Sequence, residues 1–182
     1  MNFTPLYSGA TSLEPVIDNL ITVLSDTDYQ RGAHYWAANG VTEDAPVQPD
    51  EPIILAPFAL VDEAVVWREQ EGKVPALLIF DARTDPIEED DNQVELDTTH
   101  TISLYLALAN KDRLLLRREA FWRTLAVDMM IRSCPHSVLF SNTNIKRPIV
   151  EVLRRRYDGT AGGKSSYTRV PSIDVRIRCK ER

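Results

Sequence analysis

The stretch SIDVRIRCK, Ser172–Lys180, alternates without a break. Ile173, Val175, Ile177 and Cys179 fall on one parity, and Asp174, Arg176 and Arg178 on the other. Period two sends successive side chains to opposite faces of a strand, so this segment predicts a strand with one dry face and one wet, charged face. Such a strand needs partners. DTTHTISLYLALAN, Asp97–Asn110, also alternates: His100, Ile102, Leu104, Leu106 and Leu108 interleave with Thr101, Ser103, Tyr105 and Ala107. Its second parity is only partly polar, which predicts a central strand or one covered on both sides. KVPALLIF, Lys73–Phe80, is a short apolar run flanked by Pro75 and an acidic segment, as buried strands are. IVEVLRRRY, Ile149–Tyr157, carries β-branched residues and alternates at Ile149, Glu151, Leu153 and Arg155, but VEVLRRRY also reads as helix, and its state stays open. DGTAGGKSS, Asp158–Ser166, reads as a turn or loop, which makes residues 149–180 a basic hairpin.

Helices are expected between the strand pairs. Leu13, Val16, Ile17, Leu20, Ile21 and Leu24 recur at helical spacing behind a candidate cap, Ser12. A second helix is expected after Pro57, with Phe58, Val61 and Val65 on one side and Gly72 as its stop, although Val65–Trp67 also suits a strand. The longest helix is expected from Lys111 to about Cys134, capped by Asn110 and ended by Pro135, with Leu114, Phe121, Leu125, Met129 and Arg132 near one stripe. Residues 26–52 are polar and broken by Gly40, Pro46, Pro49 and Pro52, and read as a long loop with at most a helical turn near Tyr29–Trp36. The aromatics of that turn, Tyr35 and Trp36, suggest that part of this segment docks. From His136 to Pro148 the chain reads as loop. The pattern predicts a single α+β domain over 1–182: an antiparallel or mixed sheet of about four strands, packed with two to three helices.

Charge divides this domain in two. Residues 1–100 hold twenty acids and four bases, a net of −16, and residues 101–182 hold seven acids and seventeen bases, a net of +10. Three arrangements account for the split. The halves could neutralise each other within one molecule. Copies could set the acidic face of one against the basic face of the next, as in rings. Or the basic half could touch nucleic acid. The basic side of these contacts would be carried by Arg154, Arg155, Arg156, Arg176 and Arg178.

The acidic side concentrates in residues 81–97, where Asp81, Asp85, Glu88, Glu89, Asp90, Asp91, Glu95 and Asp97 face one base, Arg83. A run of like charges is ordinarily a solvated loop, and a protein contact comes next. A metal or catalytic site built on Asp81 and Asp85, four apart with a possible turn between, is the remaining reading. The calcium-loop pattern fails here, because no glycine stands mid-loop and the closing glutamate is misplaced.

Other chemistry finds little support. His34, His100 and His136 form no metal-binding pair, and His100 suits a structural hydrogen bond. Cys134 and Cys179 match no zinc spacing and read as buried small hydrophobes. TAGGKSS resembles a phosphate loop only superficially: Gly159 stands one position off, and no strand-to-helix junction surrounds it. No cofactor is implied. The opening residues lack a basic segment followed by an apolar run, and no apolar stretch is long enough to span a bilayer, so a soluble cytoplasmic product is expected.

LEPVIDNLITVL, VPALLIFD, THTISLYLALAN, RREAFWRTLAVDMMI and PSIDVRIR, in that order, resemble the tail terminator or tail completion proteins of tailed bacteriophages. The likeness lies in element order and hydrophobic texture. It implies a structural virion protein without enzymatic activity, forming a hexameric ring that caps the tail tube and joins the tail to the head-side connector or stopper. Its partners would be itself, the tube protein and that connector, with DNA passing through the lumen. An acidic lumen would repel DNA, and the basic half would meet neighbouring subunits. Another neck component contacting DNA is the alternative, and a metal-dependent enzyme using the Asp81–Asp97 acids is a more distant one.

Overall fold

In a computed structural model of the chain, the residues described are 13–39, 56–59, 75–86, 96–143, 145–157, 161–162 and 166–181. The alternating segments pair as one sheet. Five strands run in the order β1 (Ala56–Ala59), β2 (Ala76–Pro86), β3 (Leu96–Asn110), β7 (Ser172–Glu181) and β4 (Lys146–Arg156). β1 pairs with β2 in parallel, and every other pair is antiparallel. Two short strands, β5 (Ala161–Gly162) and β6 (Tyr167–Arg169), continue beyond this sheet by pairing β6 with the last residues of β3.

Register explains which side chains meet. Leu77 lies opposite Leu106, Ile79 opposite Leu104, Leu104 opposite Ile173, and Ile102 opposite Val175. These residues are buried and form one apolar face. Two helices, α1 (Leu13–Ser25) and α3 (Arg113–Ser133), cover it, and α2 (Thr27–Asn39) packs against both of them. A single turn, α4 (His136–Leu139), follows α3. The Asn19 side chain donates to the carbonyls of Leu139 and Ser141, at 3.0 and 2.9 Å, and so ties α1 to that turn.

The α+β expectation stands, with all four expected strands present and β1, β5 and β6 added, β5 falling within the stretch 158–166 expected to be turn or loop. β3 is central, between β2 and β7, as its two-sided texture suggested. Residues 149–156 resolve as strand, with Tyr157 just past its end, and β4 with β7 makes the expected C-terminal antiparallel pair.

Several expectations are corrected. Residues 27–39 are not loop but helix, whose buried side is Gln30, Ala33, His34 and Ala37. That stripe has helical spacing but no large aliphatic residue. Asp26 caps it, accepting from the backbone N–H groups of Asp28 and Tyr29 at 3.0 and 2.9 Å. Tyr35 and Trp36 stay exposed and pack edge-on against each other. Ala56–Ala59 is strand, so no helix begins at Pro57; the rest of that expected helix, and Ser12, lie outside the described residues.

The cap of α3 is Asp112, accepting from Leu114 and Leu115 N–H, while Asn110 closes β3 and accepts from Asp112 N–H. The core row of α3 is Leu116, Ala120, Ala126, Val127, Met130 and Ile131, continued by Cys134 just past its end. Phe121, Leu125 and Met129 are only half-buried, and Leu114 is exposed.

Residues 136–148 are not all loop, since they hold α4 and the start of β4. The pairing of β4 slips between Lys146 and Ile149, around Pro148 and an Arg147 with φ of 49°. A proline within a sheet belongs at such an edge irregularity, where its missing N–H breaks no ladder bond.

Candidate functional site on the edge strand

Among the described strands β4 pairs only with β7, so it is an edge strand. All five arginines singled out from the sequence lie on these two strands. A second register slip, between Val152 and Arg154, decides where they point. Before it, Val150 and Val152 share the parity of Ile177 and Val175 and pack against the core. The slip makes Leu153 an extra residue, so that Arg154 stands opposite Asp174 and Arg155 opposite Ile173. Arg154 and Arg156 therefore share the outer face with Arg176 and Arg178, whereas Arg155 turns to the helix side. The simple alternation expected through Leu153 and Arg155 is broken at this point.

The outer face is a ladder of cross-strand ion pairs. Asp174 accepts from Ser103 Oγ at 3.0 Å and from Arg156 Nη2 at 3.2 Å, and Arg154 Nε lies 3.5 Å away. Glu151 faces Arg178 at 3.4 Å and Arg176 at 3.9 Å. These arginines are about one-third to three-fifths exposed, so each pair contributes roughly 0.2–1 kcal/mol and weakens with salt. On the helix side, the buried Asp128 of α3 accepts from Arg132 Nε at 2.7 Å and lies 3.5 Å from Arg155 Nη1. This carboxylate ties α3 to β4.

Beside that tie runs a groove of about 750 Å³ between α3 and β4. Its floor is the half-buried row Phe121, Leu125 and Met129, one helical turn apart. Arg132, Arg155 and Leu153 stand along its rim. Tyr157 stacks on Phe121 at 5.8 Å and closes one end.

A different set of charges lies between α2 and α3. Glu119, Arg123 and His34 are all buried, and His34 meets Trp122 edge-on at 6.4 Å. Burial lowers the Arg123 guanidinium to about 10, against the opposing pull of Glu119. Burial raises the Glu119 carboxyl, with Arg123 opposing. Burial, then the Arg123 charge, lowers His34 to about 4, so the ring is neutral at pH 7. Arg123 Nε and Nη2 have no hydrogen-bond partner.

The expected acidic site is placed differently. Asp81 and Asp85 lie within β2, opposite Ile102 and Thr99, not in a loop. An extended strand sets residues four apart at about 13 Å, so the turn that would have joined the two carboxylates is absent. Glu88, Glu89, Asp90, Asp91 and Glu95 lie outside the described residues. No group of three or more His, Cys, Asp or Glu side chains able to hold a metal occurs among the described residues. Cys134 is buried, and burial raises its thiol, opposite to what activates a nucleophile. His136 packs its ring on Phe140, and His100 is buried within β3.

The spacing of Asp128 and Arg132 on the long helix already allowed their pairing, but sequence reasoning missed the reach of Arg155 to Asp128, the partners Glu151 and Asp174, and the groove. The outward parity of Asp174 was a usable signal. The slip that redirects Arg155 was not. No helix among the described residues is long and apolar enough to cross a membrane. The chain matches no protein-family model and no curated protein.

Proposed function

We propose that this protein is a structural component of a tailed-bacteriophage virion, a tail terminator without enzymatic activity. Its copies form a ring, a hexamer on the family resemblance, that caps the tail tube and joins it to the head-side connector or stopper. It would assemble in the host cytoplasm, and DNA would pass through its lumen. The observation that carries this reading is the arrangement of the resembling segments. LEPVIDNLITVL lies in α1, the ALLIFD of the second segment in β2, THTISLYLALAN in β3, RREAFWRTLAVDMMI in α3 and the SIDVRIR of the last in β7, and all five belong to one sheet-and-helix unit. The division of charge between the halves supports contacts between copies.

Negative-stain micrographs and native mass measurement of the purified protein, with and without tube protein, test it. Rings or tube caps are expected. Monomers alone at high concentration, with tube protein present, overturn it.

A second reading, a neck component that grips DNA, is favoured by the exposed Arg113, Arg117 and Arg118 of α3 together with the arginines of β4. It requires DNA binding whose affinity falls steeply with salt and is lost on neutralising Arg154, Arg155 and Arg156. The pairing of those three residues with Asp174 and Asp128 favours the first reading.

A further inference from the structure

We propose that the groove between α3 and β4 is the seat for the acidic β2–β3 connection, residues 87–95, of a second copy of this chain. The inference rests on the self-association in the ring reading, though not on its place in a virion.

The two surfaces are chemically complementary. The connection IEEDDNQVE carries five carboxylates and no base, with Ile87 and Val94 near its ends. The groove offers an apolar floor, Phe121, Leu125 and Met129, beneath the rim cations Arg132 and Arg155. Arg154 and Arg156 stand next along the same strand. On the helix side Arg132 and Arg155 share one carboxylate, Asp128, and on the outer face Arg154 and Arg156 share Asp174, which leaves the strand edge net positive on both faces. The adjoining strand has no partner on its outer side among the described strands, so an extended segment can lie along it. An apolar floor with half-neutralised arginines suits a peptide better than a phosphate backbone, which rewards uncompensated cations.

The sheet register fixes how such a contact must be made. The connection leaves β2 at Pro86, opposite Thr98, and enters β3 at Leu96, opposite Glu181. The groove lies at the other end. Arg154 registers through Asp174 with Ser103. Seven residues along β3 and two strands across separate Leu96 from Arg154, about 25 Å. The attachment points of the connection and the groove therefore lie at opposite ends of one molecule, which favours head-to-tail contacts, and these close into a ring where the rotation between copies allows it.

The test has two arms, both on the full chain. In the first, a labelled peptide of residues 87–95 is titrated with the protein and read by fluorescence anisotropy, beside a peptide whose five carboxylates are amides. Binding of the acidic peptide alone is expected, weakened roughly tenfold by Arg155→Glu and by Leu153→Glu. Leu153 is exposed and holds no carboxylate, so its variant keeps the test alive if loss of the Asp128 partner unfolds the first. In the second arm, sedimentation velocity follows self-association of wild type, of Leu153→Glu, of Arg155→Glu, and of a chain with Glu88, Glu89, Asp90 and Asp91 changed to Lys. Each variant alone is expected to lose association, and Arg155→Glu mixed with the lysine chain to recover it.

Association that persists unchanged in every variant overturns the groove and leaves the ring. Wild type that never associates overturns the ring reading, and the peptide arm then decides the groove: specific binding sustains it, none overturns it. A DNA duplex that binds in place of the peptide, and is lost in the same variants, also overturns it.

Discussion

Two of the places where the protein sets arginine against carboxylate differ in their surroundings, and the surroundings give the pairs different worth. Between α2 and α3, Arg123 and Glu119 are one helical turn apart and buried, with two guanidinium nitrogens unpartnered. On the outer face of β7 and β4, four arginines share Asp174 and Glu151 at the surface. The buried pair adds little net stability, because desolvation offsets its attraction, yet losing one member leaves a charge stranded. The surface ladder is cheap to form and cheap to lose. The lesson is that the number of ion pairs says little, and the accessibility of each decides its role.

Four measurements test this contrast. Glu119→Ala should cost about 3 kcal/mol in urea unfolding, because Arg123 is left buried and uncompensated, and the double change Glu119→Leu with Arg123→Met should recover most of it. A double variant as unstable as the single one would break the comparison.

Asp128→Ala stands between the extremes, since its buried carboxylate holds two partly exposed arginines. A loss of about 2 kcal/mol is expected, and a loss too small to measure would place this pair with the surface ladder.

The third concerns pH. The unfolded imidazole of His34 takes up its proton near 6.5, whereas the folded ring resists down to about 4. Between those values the unfolded chain binds more protons, so stability should fall as pH falls through this window, by up to about 2 kcal/mol. Glu119 acts in the opposite sense, since acid removes a charge that burial penalises. His34→Gln should therefore flatten the acid-side decline in melting temperature. A decline of unchanged slope would show that His34 is not its source.

The smallest effect belongs to the ladder. Asp174→Asn and Glu151→Gln should each cost less than about 1 kcal/mol, and the difference from wild type should shrink as salt rises. A loss as large as that of Glu119→Ala would erase the distinction.

Alternation made the sheet legible. The parity of β7 is the observed one at every position from Ile173 to Cys179, and β3 follows with its centre covered on both sides. α1 was legible because its aliphatic residues repeat at helical spacing. α2 was not, because its core side is built from Gln30, Ala33, His34 and Ala37, which look polar or small in sequence. The face of α3 was misread because hydrophobic residues surround it. Phe121, Leu125 and Met129 form as good a stripe as the true core row, and only the packed sheet separates them.

The arginine cluster was visible as composition. Its geometry was not, since one extra residue at Leu153 exchanges the faces of Arg154 and Arg155. Nothing in period or propensity announces such a slip.

Pro148 and the left-handed Arg147 sit at the beginning of the same edge. An edge strand is a template on which further chains can stack, and unlimited stacking ends in fibres. Proline offers no N–H to an incoming strand, and the slip beside it twists the edge out of line. Past Ile149 the second slip, at Leu153, interrupts the edge again, so only short regular stretches remain to accept one. The protein thus keeps a short, bounded adhesive strip where a longer one would invite aggregation.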